Sequence, residues 1–409
     1  MHILYIHQYF TTPEEGGGTR SYEFARSLVK RGHKVTILTG SKLNESMVNK
    51  KKKNDEYIEG VHIIYLKTPY SNYMSFKRRL WSFVDFSLRA TLVGIRLKKY
   101  NLIFATSTPL TVAIPGIILS VLHRVPMVFE VRDLWPEVPI QMGVIKNLLL
   151  IKLLRWFEAF TYKHAYHIIA LSPGMVKGIL DTGVTKDKVT MIPNYCNLDF
   201  FKPGKSNSNN LGKLEYNNNP IIAYCGALSY ANNFELIIHA AEKLQEMSNP
   251  AIFVIAGEGK LKVKLEKLAK VKKLKNVIFL GKINKYEVVE LYRKAIACLV
   301  LFKNLPVLST NCPNKFFDAI STGKPIITNM GGWIGKLVEN YKIGFSLEND
   351  NFRAIVETVE ILTNMNKNQL EEMGKNARKL AEEKFNREDM AEKLEKIFQK
   401  VKTSYKKNA

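Results

Sequence analysis

Short apolar runs rich in β-branched residues alternate with longer helical patterns through the first half of the chain. Continuous apolar runs separated by helical stretches are typical of βα units whose strands are covered on both faces. The pattern therefore predicts a doubly wound domain with a mostly parallel sheet over residues 1–196. The runs lie at residues 3–6, 35–38, 61–66, 102–105, 127–131, 168–171 and 189–192.

The alternation stops after Pro193 and then restarts. Residues 194–219 are rich in Asn, Gly, Lys and Ser, which is typical of a connection between domains, and we place a linker at residues 197–219. The later runs predict a second doubly wound domain over residues 220–385. These runs lie at residues 221–224, 252–256, 277–280, 297–302, 326–328 and 344–347.

Residues 386–409 carry a Glu/Lys-rich pattern with Met390, Leu394 and Phe398 at four-residue spacing. This spacing predicts a single helix that is able to pack back on the first domain. The predicted fold is thus α/β, with two Rossmann-like domains facing a central cleft. Because such sheets bind ligands at the carboxyl ends of their strands, the loops that follow strands are the candidate site.

A chain of 409 residues with 46% apolar residues is long enough for two cores. The four cysteines lack metal-ligand spacing and no signal-peptide pattern opens the sequence, so we expect a cytoplasmic protein without a metal site. The formal net charge of +24 suits a phosphorylated substrate, an anionic lipid or nucleic acid. No zinc-finger spacing, RNP-like aromatic run or basic heptad accompanies the charge, which makes nucleic acid the weakest alternative.

A glycine loop follows the first predicted strand. It consists of Gly16, Gly17 and Gly18, and Arg20 begins the helical run behind it. Glycines let the backbone approach a ligand closely, and an arginine at a helix start is placed to pair with an anion. The spacing is not that of a dinucleotide fingerprint, so a plain flexible loop is an equal alternative.

Charged and aromatic residues directly follow the apolar run at residues 127–131. They are Arg132, Asp133, Trp135 and Glu137. Carboxylates bind sugar hydroxyls and an indole covers the apolar face of a sugar ring, so we favour a sugar or acceptor site. The alternative is an ion pair from Arg132 to one of the two acids that holds the loop.

In the second half, turns follow three neighbouring predicted strands and line one edge of the sheet. They contain Gly226, then Gly257 and Glu258, then Lys282 and Ile283. A glycine turn before a helix start suits a diphosphate, although each turn alone also fits a simple connection.

The most informative motif is residues 313–325, which predicts a loop and a helix ahead of a buried strand. Pro313, Asn314 and Lys315 open this helix, where free backbone N–H groups beside an ammonium suit a phosphate. Asp318 lies one turn later, where its carboxylate is placed to accept hydrogen bonds from ribose hydroxyls. The alternative is an amphipathic helix whose two charges are merely solvated.

In this order the motifs resemble those of the GT-B glycosyltransferases, and more closely the large retaining family numbered four. Within it they resemble bacterial members that build O-antigen or capsule and transfer sugars such as N-acetyl-fucosamine. The resemblance implies a nucleotide sugar, UDP favoured, held mainly by the second domain, an acceptor held mainly by the first, and no required metal or other cofactor. It further implies a lipid-diphosphate-linked acceptor and a peripheral position on the inner face of the plasma membrane. The segments that carry it are residues 16–25, 132–137, 192–194, 226, 257–259 and 313–325.

The chain also departs from the family pattern. Members commonly carry two acids separated by seven residues, whereas Thr310 and Asp318 stand at these positions here. Many members place an Arg after the glycine of the Gly226 turn and a Lys about five residues later to bind the diphosphate, where this chain has Ala227 and Asn232. The contacts with the donor sugar are therefore altered.

From the residues and the resemblance together, we expect Asp133, Lys315 and Arg20 to be the catalytic residues. We expect donor contacts from Gly17, Gly226, Gly257, Glu258, Lys282, Ile283, Pro313, Asn314, Lys315 and Asp318, and acceptor or sugar contacts from Arg132, Trp135 and Glu137. A sugar-nucleotide epimerase on the same two-sheet plan is the alternative enzyme.

Two helical stretches predict a membrane-facing surface. Residues 74–100 place apolar residues near one helical face together with many cations and Trp81, and residues 148–157 repeat the pattern around Trp156. Such composition suits peripheral contact with an anionic membrane. The alternative is a helix that packs in the core of the first domain.

Overall fold

The computed structural model describes residues 1–15, 17–42, 55–70, 74–97, 99–206, 219–347 and 351–408. These residues form two compact units. Unit 1 comprises Met1–Thr11, Gly18–Pro193 and Glu388–Ala409, and unit 2 comprises Thr12–Gly17 and Asn194–Arg387.

The unit boundaries differ in detail from the predicted domains. The chain leaves unit 1 at Pro193, and residues 197–206 of the predicted linker lie in unit 2. They do so because Phe201 is buried there and Arg378 donates hydrogen bonds to the carbonyl oxygens of Leu198 and Phe201. Gly16 and the rest of the predicted linker up to residue 218 lie outside the described residues.

The strands and helices follow in chain order. The strands are β1 His2–Ile6, β2 Lys34–Lys42, β3 Asp55–Ile58, β4 Val61–Tyr70, β5 Leu102–Thr106, β6 Met127–Val131, β7 His167–Ala170, β8 Val189–Met191, β9 Ile221–Cys225, β10 Ile252–Ala256, β11 Val277–Gly281, β12 Ala297–Val300, β13 Ile326–Thr328 and β14 Gly344–Ser346. The helices are α1 Arg20–Lys30, α2 Phe76–Arg96, α3 Ala113–His123, α4 Glu137–Gln141, α5 Leu148–His164, α6 Pro173–Leu180, α7 Phe234–Glu246, α8 Lys262–Val271, α9 Lys285–Lys294, α10 Asn314–Ser321, α11 Gly332–Asn340, α12 Phe352–Asn364, α13 Lys367–Lys384 and α14 Arg387–Asn408.

The sheet of unit 1 has the strand order β3-β4-β2-β1-β5-β6-β7-β8. Neighbours run parallel except β3, which is antiparallel to β4. The sequence did not predict β3, because its residues are only half-buried or exposed and show no apolar run. From β1 the chain winds first towards β2 and later, from β5, in the other direction. The strand order therefore reverses between β1 and β5, and the loops after these two strands diverge and leave a crevice.

The sheet of unit 2 has the order β11-β10-β9-β12-β13-β14 and is parallel throughout. Its strand order reverses between β9 and β12. Helices α7 and α12 pack together on this sheet, and their apolar residues join the largely β-branched strands in one buried core. The two sheets confirm the predicted α/β class.

The last helix, α14, belongs to unit 1 from Glu388 onward. Its apolar stripe faces the sheet, since the ring centre of Phe398 lies 5.0 Å from that of Phe104 in β5. Glu395 on the same helix lies within hydrogen-bonding distance of His33, at 2.8 Å, and accepts a longer bond from Arg31. Burial of the apolar stripe explains why this Glu/Lys-rich segment is ordered as a helix.

Candidate functional site

The sheet of unit 2 presents an ammonium group at its reversal point. Lys315 lies in the first turn of α10, and its Nζ donates hydrogen bonds to the hydroxyl of Tyr224 at 2.9 Å and to Oδ1 of Asn232 at 3.1 Å. The same nitrogen lies 4.2 Å from the ring centre of Tyr224 and 5.0 Å from that of Phe302. Tyr224 is in β9 and Phe302 follows β12, so the ammonium sits where an open α/β sheet binds its ligand.

The partners of the Lys315 ammonium are all neutral. No carboxylate forms an ion pair with it in the described part of the chain. Burial lowers the pKa of Lys315 to about 7. An anion at this position restores the full charge of the ammonium, because an opposite charge close by favours the protonated form.

The start of α10 adds donors beside this ammonium. The first N–H groups of a helix have no partner within it, and the N-cap residue, Pro313, makes no side-chain capping bond to them. Asn314 and Lys315 are the first two residues of the helix. Together the helix dipole and the ammonium make this edge suitable for a phosphate group.

The carboxyl ends of β9, β10 and β11 are hydrogen-bonded to one another through the glycines there. The N–H of Gly226 donates to the carbonyl of Ala256 at 3.0 Å, and the N–H of Gly257 donates to that of Gly281 at 2.7 Å. A Cβ on Gly257 would lie only 1.8 Å from the carbonyl oxygen of Gly226. We call Gly226, Gly257 and Gly281 the glycine floor of unit 2. Its close backbone contacts leave no room for a side chain at Gly257.

This geometry corrects one predicted role. The amide of Gly226 is already used inside the floor, so it is not the free donor to a diphosphate that the sequence predicted. A Cβ at this position would lie 3.4 Å from Cε of Lys315 and 3.2 Å from the hydroxyl of Tyr224. Gly226 instead leaves room for the ammonium.

The remaining predicted donor residues lie along the same edge. Glu258 follows β10 and forms an ion pair of 2.5 Å with Lys262 on α8. Lys282 is exposed and Ile283 is half-buried, both directly after β11. Gly17 has a φ of +98°, which favours glycine, and belongs to the Thr12–Gly17 segment of unit 2 instead of to the first domain, where the sequence placed it.

Asp318 forms an ion pair that the sequence did not predict. Its Oδ2 lies 2.5 Å from Nζ of Lys285, the first residue of α9. Burial raises the pKa of Asp318, while the charge and hydrogen bond of Lys285 oppose this rise. The available signal in the sequence was that Lys285 follows a predicted strand and stands at a helix start, where a lysine opposes the helix dipole and an anionic partner is favourable.

In unit 1, polar residues gather where the strand order reverses. Arg132 follows β6 and its Nη1 lies 3.3 Å from Nε2 of His7, which follows β1. The hydroxyl of Thr108, after β5, donates to Oδ2 of Asp133 at 3.2 Å. Burial raises the pKa of Asp133, and the nearby Arg132 and the Thr108 hydrogen bond oppose this rise. The structure thus brings Arg132 and Asp133 to one edge and adds His7, which was recognisable only as the first polar residue after a buried strand.

Arg20 corrects another prediction. Its guanidinium is fully buried and forms an ion pair of 2.9 Å with Glu130, whose side chain is also 0% exposed. Its remaining donors bond to the carbonyl oxygens of Ile192 at 2.9 Å and Pro193 at 2.6 Å. Arg20 is therefore enclosed in unit 1, where it holds the end of the Gly18–Pro193 segment. It is not positioned to pair with a substrate phosphate.

Glu137 is also held by the protein. It accepts hydrogen bonds from Gln141 at 2.9 Å and from Arg155 on α5 at 3.0 Å. Partial burial raises the pKa of Glu137, but these hydrogen bonds outweigh burial and the net pKa is lowered. The predicted alternative named Arg132 as the partner of Glu137, whereas Arg155 forms this ion pair in the structure. Trp135 is half-buried at the same loop.

A second surface lies on α2, α3 and α5 of unit 1. Helix α3 packs against both other helices, and Gly94 allows the approach of α2, since a Cβ there would lie 2.3 Å from Cδ1 of Leu119. Large apolar side chains of these helices are exposed, including Trp81 at 73% and Trp156 at 59%. The others are Leu80, Val84, Leu88, Leu92, Ile95, Ile118, Val121, Leu122, Leu148, Leu149, Leu150, Leu153 and, just before α5, Val144.

The exposed charges on these helices are mostly positive. Lys77, Arg78, Arg96 and Lys152 are exposed, while Glu158 of α5 is buried. The alternative prediction, that these helices pack in the core of the first domain, therefore holds only for the inner faces of α2 and α5. No helix in the described ranges is both long enough and apolar enough to cross a membrane.

Two family models match the chain and together cover most of it. The model described as Glycosyl transferase 4-like domain matches residues 15–195, and the model described as Glycosyl transferases group 1 matches residues 208–380. A curated relative, WcaI of Escherichia coli (strain K12), is named as a glycosyl transferase of colanic acid biosynthesis and is 22% identical over 252 residues. This match spans 59% of the present chain and 61% of the relative, which is less than two thirds of the relative's length.

Solved structures show the same architecture over nearly the whole chain. Sucrose-phosphate synthase from Thermosynechococcus elongatus aligns with a TM-score of 0.79 at 17% identity, covering 98% of this chain and 99% of that one. HepE from Anabaena, solved in complex with UDP and glucose, aligns with a TM-score of 0.71 at 15% identity, covering 97% and 99%. At these identities the likeness establishes the fold alone.

Proposed function

The chain belongs to the GT-B glycosyltransferases, with a glycosyl transferase 4-like first domain and a group 1 second domain, and we propose that it transfers a sugar in the synthesis of a bacterial surface polysaccharide. The donor is a nucleoside-diphosphate sugar, and the acceptor is a lipid-diphosphate-linked saccharide or a sugar. The observation that carries this proposal is the ammonium of Lys315, which lies among neutral partners at the reversal point of the unit 2 sheet, beside the start of α10.

Lys315 and the first turn of α10 receive the diphosphate in this proposal. Lys315 replaces the basic pair of the family, because Asn232 stands at the position of the family lysine and holds the ammonium through its Oδ1. Asp318, one turn further along α10, binds the ribose. A uridine nucleotide is favoured because HepE, which shares the fold, was solved with UDP and glucose.

During transfer, the bond between the anomeric carbon and a diphosphate oxygen breaks, and the acceptor hydroxyl oxygen forms the new bond to that carbon. The acceptor proton passes to the departing diphosphate. Lys315 and the α10 dipole stabilise the negative charge that grows on the leaving group, a task suited to preorganised donors. No metal is needed in this scheme, and we expect chelation of divalent cations to leave transfer unchanged.

Unit 1 holds the acceptor at the edge that carries Arg132 and Asp133. Asp133 is partly buried and its carboxylate binds a sugar or acceptor hydroxyl, with Thr108 fixing one of its oxygens. Retention of anomeric configuration requires either a covalent intermediate or attack on the same face of the sugar. We assign no nucleophile.

A screen for thermal stabilisation tests the donor site directly. A ligand that binds only the folded state raises its melting temperature in proportion to ln(1 + [L]/Kd). We expect UDP to raise the melting temperature of the wild type, Lys315→Met to remove this effect, and Lys336→Met, an exposed lysine of the same unit, to retain it. Absence of stabilisation by UDP, GDP and other nucleoside diphosphates would contradict the proposal, and stabilisation by RNA oligomers alone would favour the nucleic-acid alternative.

A second comparison separates transfer from donor binding. Asp133→Asn is expected to bind UDP like the wild type and to lose transfer, because Asp133 belongs to unit 1, whereas the proposal assigns the diphosphate to residues of unit 2. An epimerase would instead convert a UDP-sugar to its epimer without any acceptor. Formation of that epimer by the wild type would replace the transferase proposal.

We also propose that the α2–α3–α5 surface attaches unit 1 to the inner face of the plasma membrane. Exposed tryptophans and leucines insert at the level of the headgroups, and the surrounding cations attract anionic lipid. Sedimentation with phosphatidylglycerol vesicles is expected to exceed that with phosphatidylcholine vesicles and to weaken at high salt. A second copy of the chain is the competing occupant, and concentration-dependent dimerisation without vesicle binding would indicate it.

A further inference from the structure

A buried lysine holds the carboxylate that the proposed function assigns to the ribose. Lys285 begins α9, and its side chain is 10% exposed. Its Nζ lies 2.5 Å from Oδ2 of Asp318, whose side chain is 16% exposed. The two residues come from different helices, and their ion pair ties the start of α9 to the first turns of α10.

This lysine stands where a lysine is unfavourable. The N-terminal turn of a helix carries partial positive charge, and removal of an ammonium from water adds a further cost. The acids of α9 itself are used elsewhere, since Glu287 caps the helix and Glu290 pairs with Arg293. Asp318 is the carboxylate that faces Lys285, so the position is explained by the need to hold Asp318 and not by the stability of α9.

Asp318 also has a reason to be held. It stands where the resembled family carries glutamate, and it is shorter by one methylene. With one oxygen fixed by the ammonium, the carboxylate has a defined orientation. The charge of Lys285 favours its ionised form, and an ionised acceptor forms the stronger hydrogen bonds to hydroxyl groups.

We propose that Lys285 is a positioning residue for nucleoside recognition: it fixes one oxygen of Asp318, so that the other oxygen accepts a hydrogen bond from a ribose hydroxyl. The inference rests on the proposed function, because it takes a ribonucleoside diphosphate as the ligand of unit 2. It assigns selection of ribose over deoxyribose to a pair of residues and not to Asp318 alone.

Calorimetric titration with UDP and with 2′,3′-dideoxy-UDP tests this role. We expect the wild type to bind UDP at least about tenfold more tightly than the dideoxy ligand, because the second oxygen of the Asp318 carboxylate has no ribose hydroxyl to accept from when the hydroxyls are missing. In Lys285→Met the preference falls to less than about threefold, and the loss affects UDP while the affinity for dideoxy-UDP stays within about twofold of the wild type. In Lys285→Arg, which keeps the charge, part of the preference returns, and Lys270→Met, an exposed lysine of α8, leaves it unchanged.

Asp318→Asn provides a second test that does not alter Lys285, and its preference is expected to fall in the same way. A Lys285→Met variant that keeps the full preference for UDP would overturn the inference and leave the proposed function intact. A uniform loss of affinity for both ligands would also overturn it, because that result describes a merely structural lysine. Failure of the wild type to bind any nucleoside diphosphate would overturn both the inference and the proposed function.

Discussion

The ammonium nitrogen of Lys315 lies 2.9 Å from the hydroxyl oxygen of Tyr224 and 4.2 Å from the centre of its ring. The hydroxyl of Tyr224 in turn donates to the carbonyl oxygen of Ala227 at 3.0 Å. These hydrogen bonds fix the position of the ammonium, and the groups that accept from it, the Tyr224 hydroxyl and Oδ1 of Asn232, are neutral. Among the residues that the structure describes, this lysine has no anionic partner, and a bound phosphate supplies one.

The first prediction concerns the pH dependence of diphosphate binding. Burial lowers the pKa of Lys315 to about 7 in the free protein, whereas a bound diphosphate favours the charged ammonium and raises it. The affinity for UDP should therefore fall as the pH rises from about 7 to 9, with a slope that approaches tenfold per pH unit. Calorimetry across this range measures it, and Lys315→Arg, whose guanidinium stays charged, should show a flat profile.

The free energy of unfolding of the free protein changes with pH in the opposite direction to the affinity for UDP. The pKa of Lys315 is depressed on folding, so between pH 7 and the unfolded value of 10.5 the unfolded chain binds the extra proton. The contribution of this group to the free energy of unfolding thus rises with pH in that window.

The binding prediction has a clear contrary outcome. A wild-type affinity for UDP that stays constant from pH 7 to 9 would show that the ammonium of Lys315 does not contact the diphosphate.

The second prediction concerns the glycine floor of unit 2. Gly257→Ala is expected to destabilise the protein by at least about 2 kcal/mol and to abolish UDP binding, because the new Cβ would lie 1.8 Å from the carbonyl oxygen of Gly226. Gly331→Ala is the matched control, since nothing lies within 4 Å of a Cβ there and its φ is −62°. Denaturant unfolding and UDP titration report both effects. Equal behaviour of the two variants would contradict the claim that the glycine floor excludes a side chain at Gly257.

The third prediction separates a structural arginine from a catalytic one. Arg20→Met leaves the fully buried Glu130 without its partner, and we expect a loss of about 3–5 kcal/mol in the free energy of unfolding. The double variant with Glu130→Gln should recover part of this loss, because the buried charge is then removed. An Arg20→Met variant with unchanged melting temperature but lost UDP affinity would reinstate the substrate role predicted from the sequence.

The fourth prediction concerns the membrane-facing surface of α2, α3 and α5. Leu88→Gln with Leu92→Gln should lower the fraction bound to phosphatidylglycerol vesicles roughly tenfold, because each exposed leucine loses its favourable transfer into the membrane interface. Val263→Gln with Val271→Gln, which are more exposed than the two leucines and lie on α8 of unit 2, is the matched control and should bind like the wild type. Vesicle sedimentation gives both fractions, and equal losses in the two pairs would indicate nonspecific adsorption.

The sequence predicted the strands of both sheets closely, because strands covered on both faces need continuous apolar runs. The run at residues 326–328 coincides with β13, and the run at residues 252–256 coincides with β10. It missed β3, which pairs only at the edge of its sheet and buries no complete face. It also located the carboxyl ends of the strands, where Lys315 and Asp133 lie.

What the sequence could not determine is which charges are already paired inside the protein. Arg20 and Lys315 both follow glycine-rich or helix-start signals, yet Arg20 is enclosed by Glu130 and two carbonyl oxygens while Lys315 has neutral partners. Glu130 stands 110 positions from Arg20, and Lys285 stands 33 positions from Asp318. Apolar periodicity is local, so the chain itself specifies its elements and its fold class; the pairing of distant charges arises only when the sheets assemble, and that pairing decided which of the candidate residues remain available to a ligand.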